Sequence, residues 1–201
     1  MNKTIKNINS KWYLFALAAI ICPISAIYFV DLVNMPRNEE TLTVFIASCS
    51  LENDNLTKLL KENKPDYLRQ INVNSRLIND EYYETYLTAN LLTADMFILP
   101  ESKATSLDVG NYFAPIEEAT MERYVLAPSY YQEKDVHYGI RLHAKGGTLS
   151  NAYFTYSLSE QTDEDYYIFF NLNSMHIGDL SHEKYDTALI FSEVLIDVCD
   201  E

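Results

Sequence analysis

Residues 91–103 read LLTADMFILPESK, and this stretch decides the fold. Leu91 closes a helical spacing in which Tyr83, Tyr86, Leu87, Asn90 and Leu91 recur at three and four residues. Ala94 and Asp95 then break the helix, and Met96, Phe97, Ile98 and Leu99 follow with no polar member among them. An apolar run this short predicts a strand covered on both faces, as in the middle of a parallel sheet. Pro100 can follow because the strand is over and its missing donor is no loss there. Glu101 and Ser102 open the polar turn beyond.

Upstream, the pattern repeats. Leu42 to Ala47 (LTVFIA) is a short β-rich run, and Asn53 or Asp54 can cap a helix with Leu56, Leu59 and Leu60 on one face. Asn63, Lys64, Pro65 and Asp66 end that helix. Residues 71–77, INVNSRL, alternate apolar and polar as a second strand should. Asn79 or Asp80 can cap the second helix, which leads into LLTADMFILPESK. The order is therefore strand, helix, strand, helix, strand, which demands parallel strands joined by helical crossovers.

Downstream the regularity fades. Residues 112–118 (YFAPIEE) read as a loop with apolar anchors, His137 to Leu142 as a strand, and Tyr166 to Phe170 as another. Residues 148–165 are polar. Ser181 can cap a final helix with Tyr185, Ala188, Leu189, Ser192, Leu195, Ile196 and Cys199 on one face.

At the other end, WYLFALAAIICPISAIYFV runs from Trp12 to Val30 without a charge, about the length a helix needs to cross a bilayer. Pro23 would kink such a helix rather than end it. Lys3, Lys6 and Lys11 precede the run, while Asp31, Glu39 and Glu40 follow it with only Arg37 between. The positive-inside tendency then puts the N-terminus in the cytoplasm and the remainder outside. A cleaved signal peptide ending at Ile24-Ser25-Ala26 is the competing reading, but Ile27-Tyr28-Phe29-Val30 prolongs the apolar run past a signal's core. A lipid on Cys22 is disfavoured by bulky Ile21, where such signals carry a small residue. The expected organisation is a cytoplasmic tail (1–11), a transmembrane anchor (12–33), a short linker (34–40) and an extracytoplasmic domain (41–201) held close to the membrane.

Taking the three tail lysines from 15 basic residues leaves 12 against 29 acidic ones, a formal −17. Such a surface repels phosphate backbones and anionic lipid, so nucleic acid is excluded as a partner class. Cys49 and Cys199 could pair, but three cysteines are too few for a stapled scaffold, and small buried apolar roles suit them better.

The succession LTVFIAS, helix, strand, helix ending in TADMFIL, then NYFAPIEE and VHYGIRLH, resembles the N-terminal lobe of the extracellular solute-binding proteins of ABC importers, the group that takes sugars and related solutes. The likeness rests on Ala94-Asp95 before the strand, on Phe113-Ala114-Pro115-Ile116-Glu117-Glu118, and on Tyr138-Gly139-Ile140. It spans residues 41–143. Arg141 stands where the family usually has proline, and the chain has no room for a whole second lobe. The resemblance implies an α/β fold: a single three-layer lobe with a mainly parallel sheet flanked by helices, preceded by one transmembrane helix. In it, Tyr166 to Asn171 is where the chain returns to finish the lobe, with a small insertion over residues 148–165.

Parallel sheets bind ligands beyond the carboxyl ends of their strands. That rule nominates Ser48, Ser50 and Glu52 after the first strand, beside Cys49, and Glu101 and Ser102 after the third. The ordinary alternative is polar turns that satisfy strand ends. No phosphate cradle, GxSxG elbow, HExxH pair or EF-hand loop is present, so no cofactor and no catalytic set is expected. His137 and His143, joined by His176 and His182, do not have zinc-site spacing. Sixteen tyrosines could offer sugar-stacking faces. In the adjacent pairs Tyr82-Tyr83, Tyr130-Tyr131 and Tyr166-Tyr167, the two rings must point in different directions, and no more than one of each is expected to be fully buried. The expected function is a membrane-anchored, non-enzymatic module that presents or senses a small polar solute, sugar-like, with an ABC permease. The alternatives are a ligand-free interaction or structural surface protein and, with only isolated histidines and acids behind it, an extracellular hydrolase.

Overall fold

The computed structural model describes residues 2–48, 54–116, 129–145 and 164–177. Two compact units divide the chain, residues 1–37 and 38–201.

The first unit holds α1, Asn2–Asn34, a single helix that contains Pro23. Its stretch Trp12–Asn34 is 23 residues, apolar and unburied within the protein. At about 1.5 Å per residue that is enough for a hydrocarbon core about 30 Å thick. Cys22 is a free, exposed thiol on this helix.

The second unit begins with a one-turn 3-10 helix, Asn38–Glu40, and strand β1, Thr41–Ser48. Helix α2, Asp54–Glu62, then leads to β2, Gln70–Leu77, and α3, Tyr83–Asn90, to β3, Met96–Pro100. Both crossovers return the chain parallel to itself, as the alternating pattern demanded. β1 lies between β2 and β3 and runs parallel to each, with Val44 level with Val73 and with Met96. Met96, Phe97, Ile98 and Leu99 are wholly buried.

After β3 come two short helices that the sequence pattern did not predict, α4, Glu101–Thr105, and α5, Val109–Tyr112. Strand β4, Tyr130–Glu133, pairs antiparallel with β5, Val136–His143. Lys134 and Asp135 connect them in a two-residue turn, both at positive φ (51° and 66°), the mirror-image geometry that matches strand twist. β6, Tyr166–Phe170, inserts between β3 and β5, antiparallel to both.

The sheet order is β2-β1-β3-β6-β5-β4. The sheet is therefore mixed, and the expectation of a mainly parallel one is corrected. Only β1 with β2 and β1 with β3 are parallel. A buried run such as YYIFF has the same composition whichever way it points, so direction was not readable from it.

Two apolar clusters line the sheet. Leu42, Val44, Ile46, Met96, Ile98, Ile168 and Phe170 pack with Leu59 and Leu60 of α2. Phe45, Ala47, Phe97, Leu99 and Phe169 pack with Tyr83 and Leu87 of α3, Ala104 of α4 and Val109 of α5. The strands alternate between the two clusters because successive side chains leave opposite faces. Tyr166 and Tyr167 are both largely buried, at 2% and 7% exposure, because β6 lies inside the sheet and each of its faces meets a core. Gly139 is required by the second cluster: a Cβ there would lie 2.7 Å from the Phe169 ring.

On α3 the buried members are Tyr83 and Leu87, with Leu91 just past its end, while Tyr86 is exposed and Asn90 half-buried. The proposed cap Asp80 sits one turn earlier: its Oδ1 accepts from the Tyr82 amide at 2.9 Å, and the helix starts at Tyr83. The helix expected over residues 181–199 lies outside the described residues.

Candidate functional site at the carboxyl edge of the sheet

Strands β1 and β3 end together, β1 at Ser48, paired with Leu77, and β3 at Pro100, paired with Tyr166. Glu101 and Ser102 emerge there as the first residues of α4, both exposed. Ser48 thus shares their edge. Ser50, Glu52, Cys49 and Cys199 lie outside the described residues.

The backbone at this edge is anchored by acids from the segment before β6. The Glu101 amide donates to the Asp165 carbonyl at 2.9 Å, and the Ser102 amide to Glu164 Oε2 at 2.9 Å. The Asp165 carboxylate gathers three groups. The Lys145 amide donates to Oδ1 at 2.6 Å, the Tyr167 hydroxyl to Oδ2 at 3.2 Å, and Arg141 Nη1 lies 3.6 Å from Oδ2. Arg141 therefore pairs with this carboxylate. Burial pushes the Tyr167 phenol up to about 12; the charges of Asp165 and Glu101 and the bond to Asp165 add to the effect, and Arg141 opposes it. Nearby, Lys103 pairs with Glu84 at 2.9 Å and lies 4.4 Å over the Tyr83 ring. Tyr83 is buried, and burial chiefly raises its phenol as well, with the charges of Glu84 and Glu164 adding to the effect. The edge thus offers two exposed side chains, a carboxylate and a hydroxyl, on a backbone that the chain's own acids hold in place.

Sequence reasoning missed Glu164 and Asp165, which fell in a stretch read as a polar insertion. Their only signal was position, directly before an apolar run.

At the opposite edge, a second polar cluster forms around Asp95, the residue that carried part of the family likeness. Asp95 and Thr43 exchange bonds: the Asp95 amide donates to the Thr43 carbonyl, and the Thr43 amide to Asp95 Oδ2, each at 2.8 Å. Ser174 donates its hydroxyl to Asp95 Oδ1 at 2.7 Å. Asn171 Nδ2 donates to the carbonyls of Leu91 and Ala94. His176 donates its amide to Ser174 Oγ at 3.1 Å, and its ring Nε2 lies 2.9 Å from the Thr41 carbonyl. A carbonyl only accepts, so Nε2 carries the proton. Burial raises the Asp95 carboxyl above its ordinary range, against the opposing pull of the Thr43 amide, the Ser174 hydroxyl and the His176 charge.

Serine, histidine and aspartate meet here without forming a nucleophilic triad. The Ser174 hydroxyl is spent on Asp95, and the His176 ring is bonded to Thr41 rather than to the serine. The cluster ties β1, β3 and the segment after β6 together. His137 and His143 both lie on β5. Among the described residues no group of three or more histidine, cysteine or acidic side chains could hold a metal. His182 lies outside them.

No family model matches the chain, and no curated protein matches it in sequence.

Proposed function

We propose that the chain is a membrane-anchored, extracytoplasmic binding module of the solute-binding type, in which α1 spans the bilayer and the carboxyl edge of the sheet meets a small polar solute of sugar-like chemistry. A permease of the ABC class is the partner such a module would serve. The observation that carries the reading is the exposure of Glu101 and Ser102 at the end of a wholly buried central strand, where parallel sheets place their ligands. The β1-α2-β2-α3-β3 succession and the return of β6 beside β3 support a lobe of three layers, with α2 on one face and α3 to α5 on the other. Three lysines before the span and the acidic excess after it support an outward-facing domain.

A second reading has its own support. The amides of Glu101 and Ser102 already hold Asp165 and Glu164. An edge whose strand-end donors are satisfied internally suits a ligand-free interaction or structural protein equally well.

Two experiments test these readings. Protease added to intact cells should remove the domain and spare the tail; protection of the domain contradicts the orientation. A titration of the chain against sugars, oligosaccharides and peptides separates the binding module from the interaction protein.

A further inference from the structure

Leu92, Tyr112, Val136, Leu172 and Met175 stand exposed, and Leu92 most of all at 81%. All five lie at the amino edge of the parallel strands. Leu92 is in the turn that leads into β3, next to Leu91, whose carbonyl receives Asn171 Nδ2 at 2.9 Å. The Leu172 amide donates to the Tyr112 carbonyl at 2.9 Å, which brings the end of α5 beside the segment that follows β6. Met175 belongs to that segment and precedes His176, whose ring reaches Thr41, where β1 begins. Val136 opens β5, which runs in the same sense as β3 and starts from the same edge. The remaining exposed large apolar side chains of the described domain are Tyr82 and Tyr86 of the α3 region, and Tyr86 is covered by Arg76, 3.9 Å from its ring. Every exposed aliphatic side chain of this size in the described residues 38–177 is therefore at one edge.

We propose that this edge is a membrane-interfacial surface, whose aliphatic side chains and Tyr112 rest in the headgroup region of the bilayer. The proposal rests on reading α1 as a membrane span. The occupant follows from connectivity: the chain enters β1 at Thr41, on this edge, six residues (35–40) after α1 ends at Asn34. Six residues reach no more than about 20 Å when extended. Aliphatic side chains with a tyrosine among them suit the boundary between headgroups and acyl chains. The acidic excess specifies zwitterionic rather than anionic lipid. One consequence is that Glu101 and Ser102, at the opposite edge, are turned to the aqueous phase.

The test uses the full chain reconstituted in phosphatidylcholine vesicles that contain lipid brominated near the headgroup. Trp12 is the chain's single tryptophan and reports α1 directly. In a Trp12→Phe background, Leu172→Trp and Leu92→Trp report the amino edge and Tyr82→Trp the other. The expected result is loss of roughly half the emission for the two amino-edge variants, as for rings about 5–10 Å into the headgroup boundary, and none for Tyr82→Trp. Unquenched emission at both amino-edge positions, or equal quenching at all three, overturns the proposal. A blue shift there that grows with protein concentration and ignores bromine assigns the edge to a second copy of the chain, which also overturns it. Failure of the α1 reading is distinct: Trp12 itself would stay unquenched, whatever the edge positions do.

Discussion

The Ser174 hydroxyl donates to Asp95 Oδ1 at 2.7 Å across 79 positions of sequence, and it fastens the segment after β6 to the start of β3. Ser174→Ala removes a hydrogen bond to a buried carboxyl and leaves that oxygen without its partner. The expected loss of stability is about 1.5–3 kcal/mol. Chemical denaturation of the variant beside the parent measures it.

Asp95 also predicts a pH dependence. Its carboxyl is raised in the fold above the ordinary 3.8, chiefly by burial. Between the unfolded and the higher folded value, the folded chain keeps a proton that the unfolded chain has lost. Stability contributed by this group is full below the unfolded value and falls as pH rises through that window. Asp95→Asn should flatten that part of the stability profile; an unchanged slope would assign it to other groups.

Gly139→Ala is expected to destabilise by about 1–3 kcal/mol, the ordinary range for overpacking a core. The added methyl would sit 2.7 Å from the Phe169 ring, itself stacked on Phe113 at 4.9 Å between centroids. Thermal unfolding of the variant checks this. A parental melting temperature would show that the Phe169 ring has room to move.

Tyr167 should resist ionisation. With its phenol pushed up to about 12 from 10.0, the unfolded chain loses the proton first, so the contribution of Tyr167 to stability is intact below 10 and lost as pH rises towards 12. Phenolate absorbance of the parent minus that of Tyr167→Phe isolates this group. A midpoint near 10 would mean that the phenol is not buried as described.

The half of the fold built from local signals was legible in the sequence. The spacing of Leu59 and Leu60, the alternation in β2 and the all-apolar β3 each follow from one element's burial. What was not legible depends on pairing at long range. YYIFF reads as a buried strand in either direction, and only the completed register, with Phe97 opposite Phe169, makes it antiparallel. Likewise Glu101 and Ser102 could be located by the strand-end rule, but nothing local showed that Glu164, 62 positions from Ser102, would supply the acceptor for its amide. Asp95 was singled out by its place before the strand, while Ser174 and Asn171, which give it its setting, carried no motif.

The most direct test of the proposed binding function is a titration of the isotopically labelled full chain in lipid nanodiscs against sugars, oligosaccharides and peptides, followed by amide chemical shifts. A solute held by one exposed carboxylate and one hydroxyl makes few hydrogen bonds, so binding on the order of millimolar is expected, which corresponds to about 4 kcal/mol. The binding reading predicts shifts confined to the carboxyl edge, around Ser48, Glu101 and Ser102, that disappear in Glu101→Ala and Ser102→Ala. A flat response to every solute, or binding that both substitutions leave unchanged, would contradict it and leave the edge as a set of satisfied strand ends on an interaction protein.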